Sequence, residues 1–116
     1  MDAKINYDAE NDILYFYLDE KSVDFSIDYD RIILDVKGNK IVGVEVMDAS
    51  ERFANVDSET AQLKEALGSI KQAFMKVDYG VNSFGVKIGF ISSVPEYSRE
   101  GMLIQVPIKR DMMVDA

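Results

Sequence analysis

Val23-Asp24-Phe25-Ser26-Ile27-Asp28-Tyr29-Asp30 alternates apolar and polar residues without a break. Successive side chains of a strand point to opposite faces, so this stretch predicts a half-buried β-strand. Val23, Phe25, Ile27 and Tyr29 would point inward, and Asp24, Ser26, Asp28 and Asp30 outward. Arg31-Ile32-Ile33-Leu34-Asp35-Val36 follows, with Ile32, Leu34 and Val36 as its inner set. Lys37-Gly38-Asn39-Lys40 is a tight-turn signal, because Gly and Asn accept positive φ cheaply. Ile41-Val42-Gly43-Val44-Glu45-Val46-Met47 then closes a hairpin.

Working upstream, Ile13-Leu14-Tyr15-Phe16-Tyr17-Leu18 is β-branched, aromatic and apolar at every position. Such a strand is expected to have both faces covered, by a core on one side and a helix or another subunit on the other. Lys4-Ile5-Asn6-Tyr7 is a short first strand. Asp8 to Asp12 and Asp19 to Ser22 are polar turns. Together these form an N-terminal β-meander of four or five strands over residues 4–50.

Downstream the pattern changes. Leu63, Ala66, Leu67, Ile70, Ala73, Phe74 and Val77 recur at steps of three and four. That spacing predicts one amphipathic helix over residues 58–79, started by N-cap oxygens of Asn55, Asp57 and Ser58 and stopped at Gly80. Phe84, Val86, Ile88 and Phe90 alternate with Gly85 and Gly89, which suggests a strand with a bend or a close backbone approach. Met102 to Ile108 is the last strand of a C-terminal pair spanning 84–108, and Pro107 marks it as an edge. Asp111 to Ala116 is expected to fray. The expected fold is a single α+β domain over 1–116: a mainly antiparallel sheet, meander plus C-terminal strand pair, with the helix packed on one face.

Composition narrows the chemistry. The 116 residues contain no histidine and no cysteine. Histidine is the side chain whose unperturbed charge change falls near neutral pH, and cysteine supplies the thiolate nucleophile and soft metal ligand. Their absence excludes Ser-His-Asp and Cys-His nucleophilic sites, ordinary zinc sites and thiol redox chemistry. No cofactor and no catalytic residue is expected. The net charge of −8 repels phosphate backbones, which argues against nucleic-acid partners and fits either plain solubility or a basic protein partner. Neither a signal peptide nor a membrane span is expected, and cytoplasmic location is the default reading.

Tyr7-Asp8, Asp12, Leu14-Tyr15 and the run Gly38-Asn39, Ile41-Val42-Gly43, Glu45, Ala49-Ser50 read as Y-D-x-x-x-D-x-L-Y and G-N-x-I-V-G-x-E-x-x-x-A-S. The series resembles a family of small prokaryotic proteins of unknown function, over residues 4–50. The resemblance implies a short β-rich domain with no established activity, and neighbours among small toxin-like genes. The motif also has a direct physical reading as turns and a hairpin.

Three candidate features remain. Asp24, Asp28 and Asp30 share one side of a strand, with Asp35 and Glu45 near them; crowded carboxylates could do acid–base chemistry or hold Mg²⁺ or Ca²⁺, but a solvated strand face explains them as well. Tyr15 and Tyr17, with Tyr7 and Tyr29, could form an aromatic surface; core or interface packing is the plainer reading. Gly85-Val86-Lys87-Ile88-Gly89 lacks the spacing of a phosphate loop. The leading expectation is a non-enzymatic domain acting through protein–protein contact as a homodimer, with Asp24, Asp28, Asp30, Tyr15 and Tyr17 as its interaction surface. The alternatives are an acidic antitoxin-like partner of a small basic toxin, and a carboxylate-based enzyme or Mg/Ca-binding module.

Overall fold

In a computed structural model, described for residues 2–18 and 22–107, the meander strands are β1 (Asp2–Asp8), β2 (Ile13–Tyr17), β3 (Phe25–Tyr29), β4 (Ile32–Lys37) and β5 (Lys40–Val46). Two short helices follow, α1 (Ala49–Phe53) and α2 (Thr60–Leu67). Three longer strands follow, β6 (Ile70–Tyr79), β7 (Ser83–Ser92) and β8 (Arg99–Pro107). All pair antiparallel in one eight-stranded sheet of order β3-β4-β5-β2-β1-β6-β7-β8. The sheet curls into a half-barrel, so that Tyr29 and Ile32 near one end of the order lie beside Met102 to Gln105 near the other.

The meander forms as its alternation requires. Leu14 and Phe16 of β2, Ile32, Leu34 and Val36 of β4, and Val44 and Val46 of β5 all turn to one face and are buried. Gly38 and Asn39 take positive φ in the β4–β5 turn. A register shift beside Val36 brings Ile41 to the core face opposite it. The core is continuous across both halves of the chain, with Leu63 and Leu67 of α2 and Phe84, Val86, Ile88 and Phe90 of β7 in the same cluster.

The expected helix over 58–79 is overturned. Its first part is α2, only eight residues long, and its second part is strand β6. The reason is a bulge. Ile70 pairs with Ser92 and Gln72 with Ile91, so Lys71 is extra. Ile70 and Ala73, three apart, therefore face the same side, and Met75 and Val77 continue there at steps of two. A bulged strand thus reproduces a spacing of three that an unbroken helix also shows. The chain leaves α2 at Gly68, and Ser69 starts the connection to β6. In place of the expected C-terminal pair there are three strands, β6, β7 and β8, continuous with the rest of the sheet.

Of the two covers expected for the outer face of β2, a helix or another subunit, the helix is not found there. Both helices lie on the core side, while Ile13, Tyr15 and Tyr17 are half-buried on the other. Gly89 is a close approach as expected: a Cβ there would sit 2.7 Å from the Arg99 carbonyl oxygen. Pro107 ends β8, an edge strand. Residues 19–21, Ile108 and the stretch 111–116 expected to fray lie outside the described residues. Among the described residues no helix is long and apolar enough to cross a membrane.

Candidate functional site

Directly opposed residues of antiparallel strands share a face. The register therefore writes two rows across the outer face of the meander. One row is Ser26, Asp35, Gly43, Tyr17, Lys4; the other is Asp28, Ile33, Glu45, Tyr15, Asn6. This face carries polar groups over a sheet whose other side is core.

At its centre lies Asp35, 9% exposed. The Tyr15 hydroxyl donates to its Oδ2 at 2.8 Å, and the Ser26 hydroxyl donates to its Oδ1 at 2.8 Å. Tyr15 belongs to the neighbouring row and reaches Asp35 by lying across Gly43. A Cβ at position 43 would come within 2.8 Å of the Tyr15 hydroxyl and 3.0 Å of Asp35 Oδ2. Gly43 is thus the space through which the bond is made. Tyr17 stacks on Tyr15, with centroids 4.9 Å apart and planes 21° from parallel.

The electrostatics follow from this packing. Burial pushes the Tyr15 phenol well above its ordinary range, and its bond to Asp35 and the nearby negative charges add to the rise. Burial also raises the Glu45 carboxyl above the ordinary glutamate value, and the Asp35 charge raises it further. The centre of the face therefore holds a buried carboxylate, a second carboxyl with raised proton affinity and two stacked phenol rings.

A second network lies at the end of the meander. Asp12 stands at φ 56°. Its Oδ1 accepts from the Tyr7 hydroxyl at 2.7 Å, and its Oδ2 from the Ser50 hydroxyl at 2.6 Å. The Ser50 backbone N–H also donates to it at 3.1 Å. Asp48, the residue before α1, makes no side-chain cap, so Asp12 satisfies this helix start from a distance. Burial pushes the Tyr7 phenol far above its ordinary range, with the Asp12 bond second. The motif residues Tyr7, Asp12 and Ser50 are a structural clasp between β1, the β1–β2 turn and α1.

The acidic residues singled out in the sequence are spread along β3. Asp28 lies in the outer row. Asp24 precedes the strand and accepts from the Gly38 N–H at 2.9 Å. Asp30 follows the strand in the turn at φ 53° and faces Arg52 at 3.5 Å. Tyr15 and Tyr17 are adjacent on the face, as the sequence grouped them. Among the described residues no group of three or more acidic side chains is gathered to hold a metal ion. The Tyr15–Asp35–Ser26 constellation was not foreseen; its signal is the glycine inside the β5 pattern, opposite an aspartate in β4.

Residues 4–50 match a family described as a protein of unknown function, DUF2283. The matched segment contains the whole meander from Lys4 and stops at Ser50, so both networks lie inside it. A Methanosarcina mazei protein named "Putative hypoxanthine phosphoribosyltransferase" is 40% identical over 63 residues, which is 53% of this chain and 51% of that protein. An uncharacterised protein of Methanocaldococcus jannaschii is 41% identical over 58 residues, 49% of each chain. The chain spans about half the length of the curated relatives it matches. No solved structure matches it.

Proposed function

We propose that this chain is a non-enzymatic protein-binding domain whose outer meander face takes a cationic segment of a partner protein. The observation that carries this reading is the Tyr15–Tyr17 shelf beside Asp35 and Glu45, with Asp28 at its margin. A guanidinium or ammonium group over a phenol face is attracted by the ring quadrupole, and carboxylates alongside add direct charge. Asp35 is already fixed by two hydroxyls, so little order is lost when a cation arrives. The net charge of −8 steers a basic partner toward the surface. A small basic toxin is one partner of this chemistry.

Homodimerisation is the second reading. It is favoured by half-buried Ile13 and Ile33 on the same face as the tyrosines, which a second copy would cover. Light scattering at high micromolar concentration separates the two: a monomer leaves the face free for a different partner. Titration with an arginine-rich peptide then tests the leading reading. Binding should weaken at least about tenfold in Tyr17→Ala or Asp28→Asn, and should weaken steeply with added salt. Equal affinity in these variants, or no binding at low salt, would refute it.

A further inference from the structure

β5 and β6 both run past the two strands that separate them. Among the described residues, β1 pairs with β6 at Asp2 and Ala3, opposite Phe74 and Ala73, and β2 pairs with β5 as far as Tyr17 opposite Gly43. The Leu18 N–H then donates to the Val42 carbonyl at 2.9 Å. Beyond these pairs a gap opens in the sheet between the start of β5 and the end of β6. It holds a cavity of about 400 Å³ whose apolar walls are Leu18, Ile41, Val42, Met75 and Val77. Ile41 and Met75 are buried, and Leu18, Val42 and Val77 are half-buried. A cavity of this volume lies within the range of pockets that enclose a small organic molecule.

The polar groups around this apolar space are of one kind. Lys40, Lys76 and Tyr79 complete the lining, and among the described residues no acidic side chain joins them. Tyr79 is held by two contacts. Its ring centroid lies 6.4 Å from that of Phe84, and its hydroxyl oxygen accepts the Ile41 N–H at 2.8 Å. Among the described residues the proton of that hydroxyl has no acceptor, so it is a donor left over at the cavity. Lys76 has only a 3.9 Å exposed contact with Asp78 to give up. Two ammonium groups and a phenol O–H are thus gathered on one apolar cavity, in a chain whose net charge is −8. The walls are aliphatic, which suits a flexible hydrocarbon chain better than a stacked ring. The described lining has no arginine fork and no helix N-terminus, so the donors suit a singly charged carboxylate better than a phosphate.

We propose that this cavity binds an alkyl carboxylate of medium chain length. The chain lies among Leu18, Met75 and Val77, and the carboxylate takes the Tyr79 O–H and the two ammonium groups. The cavity shares no residue with the Tyr15–Asp35 centre of the outer face, so binding here does not depend on binding there.

Decanoate, kept below its micellar range, is the probe for calorimetric titration of the full chain. One molecule per chain should bind with half-saturation below about 1 mM. The methyl resonances of Ile41 and Val77 should shift on binding, and those of Ile33 on the outer face should not. Lys40→Gln combined with Lys76→Gln changes two exposed positions and should leave the Tm of the free protein unchanged. It should weaken decanoate binding at least about fivefold. Val77→Phe fills the cavity and should weaken binding at least about tenfold. No saturable binding, equal affinity in the double lysine variant, or uptake of many molecules per chain without saturation would overturn the proposal.

Discussion

Gly43→Ala tests the geometry on which the candidate site depends. The new methyl carbon would stand 2.8 Å from the Tyr15 hydroxyl, 3.0 Å from its Cε1 and 3.0 Å from Asp35 Oδ2. Tyr15 must swing away, and its bond to Asp35 is lost. A hydrogen bond to a charged group contributes about 1.5–3 kcal/mol. Alanine in place of glycine in a strand returns about 0.5–1 kcal/mol. The net expectation is a loss of about 1–2 kcal/mol. For a chain of 116 residues that lowers Tm by about 4–8 °C, read by calorimetry or by circular dichroism on heating. A double-mutant cycle isolates the cause. In a Tyr15→Phe background the hydroxyl is already gone, so Gly43→Ala should cost about 1 kcal/mol less. If Gly43→Ala matches the parent, or if the two changes simply add, the space above Gly43 is not what holds Tyr15 on Asp35.

Asp12→Ala removes the acceptor for Tyr7 and for both donors of Ser50, and leaves alanine at φ 56°. A loss of about 3–4 kcal/mol is expected in urea denaturation, and Asn at the same position should recover about half of it. Arg99→Lys should cost about 1–2 kcal/mol. Lysine cannot reproduce the fork in which Nε donates to the Phe53 carbonyl at 2.8 Å and Nη1 to the Ser98 carbonyl at 3.2 Å. For Glu45→Gln the sign follows from the raised carboxyl. Between its ordinary and its raised value the folded state binds more protons than the unfolded one, so stability falls as pH rises through that window. Glutamine should therefore stabilise the protein at neutral pH, and the gain should fade in acid once Glu45 is protonated in both states. A gain that persists unchanged at low pH would show that charge is not its source.

Much of the fold is legible because alternation over a strand is a local property. The inward set of β4 and the turn at Gly38-Asn39 follow from residue order alone, since a pleated strand exposes one face to the core. The boundary between α2 and β6 is not legible in that way. Leu63, Ala66 and Leu67 are spaced for a helix, and Ile70, Ala73 and Val77 continue that spacing only because Lys71 bulges out of β6. Which reading holds depends on whether β7 is there to pair with β6, and that is a contact between distant parts of the chain.

The site divides along the same line. Residue types and order determined that these 116 residues carry no histidine or cysteine side chain, that their net charge is −8, and that a β-meander carries tyrosines and aspartates on alternating positions. Tertiary structure alone decided which of those carboxylates matter. Asp24, Asp28 and Asp30 look clustered in sequence, but a strand spaces them along its length. Asp35, Ser26 and Tyr15 come from three different strands, and register brings them together over Gly43. Strand pairing is a long-range choice governed by core burial, so no local reading of the chain can supply it.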